Sequence, residues 1–305
     1  MRTQTPIVAG AGVCCVDHMF VTPQIQWGDS VHMSDYMVQG GGLVGTAIVA
    51  CARLGAQCDL FTLLGDDSVG EEIVAELVAE GIPPDGIRRI KGGSSPFSFV
   101  HIDKDSGERT IFHHEASGLS FDPGEFPSER AVTWDALLVD SYYLDLAMAA
   151  AKAARLHCVP VIADIIPEPT NRELIEHVDI LIAPKHYASQ LGLEDDLPKA
   201  LDAIHSLGPT TAVITLGAEG CVFSSPEGTG RGDAFSVEVV DTTGAGDTFH
   251  GAFAYGTARG WDIAKCAEFA SAVAAIKCTK TGGRTGLPSL SQATKFLKER
   301  SGLDW

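Results

Sequence analysis

The run Asp241-Thr242-Thr243-Gly244-Ala245-Gly246-Asp247-Thr248-Phe249-His250-Gly251 sets a carboxylate directly after three small residues. Gly244, Ala245 and Gly246 let a ligand come close to the backbone, and a helical pattern follows from Ala245 to Arg259. Their amides therefore point outward at a helix N-terminus, where unpaired N–H groups and the positive end of the dipole attract an anion. Asp247 falls in the first helical turn beside that site. A carboxylate there could accept a hydroxyl proton while the amides hold charge developing on a transferred phosphoryl group. The bland alternative is a tight turn with an N-capping carboxylate.

The elements that must hold this segment are legible around it. A strand over Phe235–Val240 leads into it, and a second helix, Ile263–Cys278, follows the first. Upstream, strands at Ala136–Val139, Val159–Ala163, Ile180–Ala183 and Thr211–Thr215 alternate with helices that include Leu144–Leu156 and Leu197–Leu207. Such alternation predicts a mostly parallel sheet covered by helices. The chain opens with a buried strand from Ile7 to Val16; residues 18–39 read as extended and irregular. Gly40-Gly41-Gly42 then opens a helix from Thr46 to Leu54, a strand runs from Cys58 to Leu64, and a helix from Gly70 to Glu80. Between Ser95 and His114 a period-two pattern with a turn at Asp105-Ser106-Gly107 predicts a hairpin. The division expected is residues 1–13, 41–94 and 116–305 as an α/β nucleotide-binding and catalytic core. Residues 14–40 and 95–115 form a β lid over a ligand at the carboxyl ends of the parallel strands.

With 305 residues, 45% of them hydrophobic, the chain can bury a sizeable core. Its net charge of −18 repels phosphate backbones and anionic lipid, so neither nucleic acid nor a membrane is the expected partner. An anionic ligand then needs a local positive site. No Cys-x-x-Cys pair exists among the eight cysteines, which reads as reduced core thiols and not a zinc site. The run Pro6–Val16 is broken by Gly10 and Gly12, so it is not a signal peptide, and the cytoplasm is the expected compartment.

The eleven-residue run resembles the C-terminal motif of the ribokinase, or phosphofructokinase-B, family of carbohydrate kinases. Three further segments resemble that family in the same order. They are Gly40-Gly41-Gly42 through Gly55-Ala56, Gly65-Asp66-Asp67-Ser68-Val69-Gly70, and Val213-Ile214-Thr215-Leu216-Gly217-Ala218-Glu219-Gly220. The tail Ala270–Thr279 with Gly282-Gly283-Arg284 is most similar to sulfofructose kinases, and the middle resembles ketohexokinase. The resemblance implies a doubly wound, mostly parallel ribokinase-like sheet flanked by helices with a small β-sheet lid. It implies transfer of the ATP γ-phosphoryl group to a sugar hydroxyl, with Asp247 as base and Gly244, Ala245 and Gly246 as anion hole. Asp17, Gly41 and Gly42 would line the sugar site, with Asp29, Thr46, Arg109 and His113 as further candidates. Thr215, Gly217 and Gly220 would border the nucleotide, Ala274 and Cys278 would line the adenine pocket, and Gly283 and Lys185 would lie close by. Magnesium would bridge the phosphates, Asp241 would stand near a possible monovalent cation such as K+, and a homodimer would form through the lid.

The chain departs from the family at several of these places. Thr46 stands where many members carry a sugar-contacting asparagine, and Leu43 replaces a polar residue. Lys185 and Ala188 occupy an Asn-x-x-Glu motif, and Tyr142 falls where sulfofructose kinases place an arginine. A nucleoside kinase of the same fold is a second reading, and a non-catalytic sugar- or nucleotide-binding regulator a third. No Gly-Lys dipeptide or His-Arg-Asp loop is present, which excludes a Walker A loop and the protein-kinase template.

Overall fold

The computed structural model describes residues 4–23, 25, 28, 30–105 and 109–301. The chain opens with strands β1 (Ile7–Ala11), β2 (Cys15–Thr22) and β3 (Asp35–Gly41). Helix α1 (Leu43–Arg53), strand β4 (Gln57–Gly65), helix α2 (Ser68–Ala79) and strand β5 (Ile87–Ile90) follow. A hairpin of β6 (Phe97–Asp103) and β7 (Arg109–His114) precedes the alternating part: β8 (Ala136–Val139), α3 (Leu144–Leu156), β9 (Val161–Asp164), α4 (Arg172–Ile175), β10 (Ile180–Pro184), α5 (Lys185–Gln190), α6 (Leu197–His205) and β11 (Thr211–Thr215). Strands β12 (Cys221–Ser225) and β13 (Gly228–Gly232) and helices α7 (Ala245–Ala258), α8 (Ile263–Lys277) and α9 (Leu290–Ser301) complete the chain.

Nine strands form one sheet in the order β13-β12-β11-β10-β9-β8-β1-β4-β5. All neighbours pair parallel except the β11-β12-β13 edge. Its strands alternate apolar residues between two layers, because successive side chains leave opposite faces. Val8, Leu138, Ile182 and Val213 pack beneath α1, α2, α7, α8 and α9. Ala9, Leu137, Leu181 and Ile214 pack beneath α3, α4, α5 and α6. The chain proceeds outward from β1 to β4 and β5 and returns on β1's other side at β8. That reversal opens a crevice at the carboxyl ends of β1 and β8.

The second sheet has four strands in the order β3-β2-β6-β7. The two helix-free stretches therefore do pair with one another: β2 runs parallel to β6, with Asp17 opposite Ser98.

Three local expectations are corrected. The apolar run from Ile7 to Val16 is two strands in different sheets. Gly12 N–H still bonds Phe61 O, but Val13 N–H bonds the Asp140 carboxylate at 2.8 Å and the chain leaves the sheet. Burial continues through the break, which is why the sequence reads as one strand. The stretch 18–39 is not irregular throughout, since β2 extends to Thr22 and β3 begins at Asp35. Phe235–Val240 is not a strand. The sheet edge ends at Gly232, and Val239 and Val240 lie exposed while Val240 N–H bonds Cys278 O. Its β-branched residues gave the expectation, but no neighbouring strand is there to pair with it.

Candidate active site

Helix α7 starts at the carboxyl side of the sheet, capped by Gly244 in the left-handed conformation, φ 72°. A Cβ there would lie 3.0 Å from Gly283 Cα, so both backbone and space call for glycine. The amide of Ala245 donates to Thr242 O at 3.1 Å. This differs from a simple row of outward amides: the Thr242 carbonyl takes the Ala245 N–H, and the Gly246 and Asp247 N–H groups remain as the open end of the helix.

Asp247 is partly buried in the first turn of α7. Burial raises its carboxyl pKa well above the ordinary range, and the negative charges of Asp164 and Asp17 raise it further, against Arg284 and Arg109. Two carboxylates thus press on the one at the helix start. Asp164 ends β9, and its pKa is also raised by burial and lowered by His250. His250, one turn along α7, is buried; its Nδ1 lies 3.4 Å from Asp164 Oδ2 and 2.8 Å from Gly246 O. Its Nε2 lies 3.2 Å from Ile182 O. The ring therefore ties the first turn of α7 to β9 and β10. Asp140 closes the crevice beside β1, accepting N–H bonds from Val13 and Tyr142; burial pushes its pKa to about 7.

The four-stranded sheet turns one polar row toward this site. Gln39, Asp17, Ser98 and His113 are cross-strand neighbours on β3, β2, β6 and β7. His113 Nδ1 lies 3.1 Å from Ser98 Oγ. Burial raises the pKa of Asp17, and a Cβ at Gly41 would fall 2.2 Å from Asp17 Oδ2. Gly42 caps α1 at φ 87° over the Val13 carbonyl. Thr46 is buried, with its hydroxyl 3.4 Å from Arg284 Nε. Arg109 reaches from β7 to Thr242 Oγ1 at 3.3 Å and Thr243 Oγ1 at 3.1 Å. Asp29 and the turn residues Ser106 and Gly107 lie outside the described residues.

Thr215 ends β11, and Gly217 and Gly220 form the turn after it, closed by Leu216 N–H on Gly220 O at 2.7 Å. Lys185 is brought to that turn by an ion pair with Glu219 at 2.8 Å. Ala274 is partly buried against the core, and Cys278 is buried at the end of α8. The Cys278 carbonyl accepts N–H bonds from Val240 and Asp241. The Asp241 carboxylate accepts from Thr243 N at 2.8 Å and Gly282 N at 2.7 Å. Burial alone would raise its pKa; these N–H groups hold it below the ordinary value.

Four participants escaped the sequence reading. Asp164 and Asp140 are carboxylates at the ends of buried strands, a signal the sequence carries. Gln39 lies next to the glycines that drew attention. Arg284 was read only as part of a motif, yet its buried guanidinium bonds Gly41 O at 2.8 Å and pairs with Glu76 at 3.2 Å. His250, named only within the eleven-residue run, also connects Gly246 to Asp164.

With this geometry in view, the comparisons are specific. The model of the pfkB family of carbohydrate kinases matches residues 10–290. A ribokinase of Bacillus subtilis is 30% identical over 274 residues, 88% of this chain and 92% of its own. A ribokinase of Haemophilus influenzae is 28% identical over 295 residues, 92% and 95% of the two chains. The structure of Arabidopsis thaliana ribokinase complexed with ribose and ATP superposes with a TM-score of 0.84 at 22% identity. It covers 97% of this chain and 99% of that one. The chain belongs to the pfkB family of carbohydrate kinases and is a phosphotransferase. Its large, mostly parallel sheet with a smaller second sheet is the ribokinase-like fold.

Proposed function

We propose that this protein transfers the γ-phosphoryl group of ATP to a hydroxyl of a small carbohydrate, with Asp247 as general base. One observation carries the reading: a partly buried carboxylate stands in the first turn of α7, directly beyond the left-handed Gly244 and beside the open amides of that helix end. The acceptor hydroxyl would lie between Asp247 and the polar row of the small sheet. Asp17 would accept hydrogen bonds from other hydroxyls, with His113, Gly41 and Gly42 along the wall. Asp247 takes the acceptor proton as the oxygen attacks. The open amides of Gly246 and Asp247 and the Arg109 guanidinium offset the charge spreading over the equatorial phosphoryl oxygens. The raised pKa makes this carboxylate a stronger acceptor for the hydroxyl proton than an ordinary aspartate.

On the nucleotide side, Thr215, Gly217, Gly220, Lys185 and Glu219 form the rim we assign to ATP, with Ala274, Cys278 and Gly283 opposite. Among the described residues no group of three or more His, Cys, Asp and Glu is placed to hold a metal alone. Magnesium fits here as an ion carried on the phosphate oxygens, where it supplies charge neutralisation. Closure of the small sheet would exclude water as a competing acceptor. Its far face exposes Tyr36, Val38, Phe99 and Phe112, and we assign that face to a second copy of the chain.

The test is ATP turnover against ketoses, aldoses, sulfosugars and nucleosides. Phosphorylation of a free sugar, lost in Asp247→Asn, supports the reading. Turnover confined to nucleosides would move the acceptor class, and binding without phosphorylation of any acceptor would leave a regulator.

A further inference from the structure

Lys277 is the one lysine among the fully buried large side chains, at 0% exposure near the end of α8. Its Nζ donates to the backbone carbonyl of Asp241 at 2.9 Å. A buried ammonium is costly unless its charge is used, and this one faces the turn that leads into the α7 N-terminus. We propose that Lys277 is the built-in cation of the phosphate-binding turn, and that the turn takes no monovalent metal ion.

The oxygen donors of Asp241 are the second observation. Oδ1 accepts the Thr243 N–H and Oδ2 the Gly282 N–H, while the main-chain oxygen accepts the ammonium. A monovalent ion binds by replacing its hydration shell with oxygens. Each Asp241 oxygen already accepts one hydrogen bond, and an incoming cation would also meet two positive charges. One is Lys277 from beneath; the other is Arg109, whose Nη1 reaches Thr242 and Thr243 from the small sheet. Burial lowers the pKa of Lys277, and the charges of Asp241 and Asp247 counter that effect. The ammonium also fixes the peptide at Asp241, two residues before Thr243 and three before the glycine that caps α7. Lys277 is thus a positioning residue that holds the turn before α7 and keeps its charge beside Asp241.

This inference rests on the kinase reading, so the test has an arm that does not. In wild-type protein, kcat should be the same within about twofold in potassium, sodium and tetramethylammonium buffers of equal ionic strength. The melting temperature with ADP should likewise not depend on which cation is present. Lys277→Met, which keeps the stem and removes the charge, should lower kcat by about 100-fold, with KM for ATP changed much less, and should acquire activation by potassium or ammonium. Wild-type activity that rises severalfold with potassium overturns the proposal, as does a Lys277→Met variant with normal kcat. If Lys277→Met does not fold, the wild-type cation series still decides. If no acceptor is phosphorylated at all, the kinase reading fails separately, and a potassium-specific rise in melting temperature with ADP would still refute the built-in cation.

Discussion

Arg109 Nη1 of the small sheet lies 3.1 Å from Thr243 Oγ1 of the large domain, although 134 positions separate them in the chain. The contact falls on the residue that immediately precedes Gly244, so strand β7 of the small sheet touches the turn on which the phosphoryl group would be held. Arg109→Ala should lower kcat/KM by about tenfold, the worth of one charge-assisted hydrogen bond. The loss should shrink as ionic strength rises, because Arg109 is an exposed residue. Steady-state kinetics at two salt concentrations check both parts.

Asp247→Asn removes the proposed base and leaves the amides in place. A kcat lower by about 10³-fold is expected, with nucleotide affinity nearly unchanged. Isothermal titration with ADP alongside turnover separates the two. A variant with near-normal kcat would sink the base assignment.

The acid side of the pH–rate profile follows from the same carboxylate. Burial and the charges of Asp164 and Asp17 raise the pKa of Asp247, and only its ionised form accepts a proton. Activity should therefore rise with pH through that raised value and fall away below it. Asp164→Asn removes one repelling charge, lowers the pKa of Asp247, and should move the acid limb to lower pH. A profile that stays fixed, or moves upward, contradicts this coupling.

Gly244→Ala forces a side chain into the left-handed region, which costs about 1–2 kcal/mol. The new methyl also meets Gly283 at 3.0 Å. The melting temperature should drop by about 2–6 °C for a chain of this size, and kcat should fall more than KM rises.

Arg284→Met breaks the pair with Glu76 and frees the Gly41 carbonyl. A loss of about 2–3 kcal/mol is expected, below that for a fully buried pair because Glu76 keeps some water contact. Chemical denaturation measures it, and the acceptor KM should rise because Gly41 and Asp17 lose their backing.

Much of the architecture was readable before any coordinates. The strands Ala136–Val139 and Thr211–Thr215 and the helix Leu144–Leu156 fall on the expected residues, because each is a strongly apolar run with clear turn residues at its ends. The failures share a cause. Ile7–Val16 and Phe235–Val240 have the composition of strands, but whether a strand pairs depends on a neighbour that local sequence does not reveal. The helix start at Gly244 was legible because it is contiguous. Gln39, Asp164 and the Lys277–Arg284 stretch come from three distant segments, and only the fold brings them together.

The loop from Gly282 to Arg284 touches both halves of the machinery. Gly282 N–H binds the Asp241 carboxylate and Gly283 backs Gly244, while Arg284 N–H binds Gln39 and its guanidinium binds Gly41 O. If residues 39–41 meet the acceptor as proposed, retargeting the enzyme by changing them would therefore disturb the proposed phosphate end as well. Libraries that vary the two regions together should yield active variants that varying either region alone would miss.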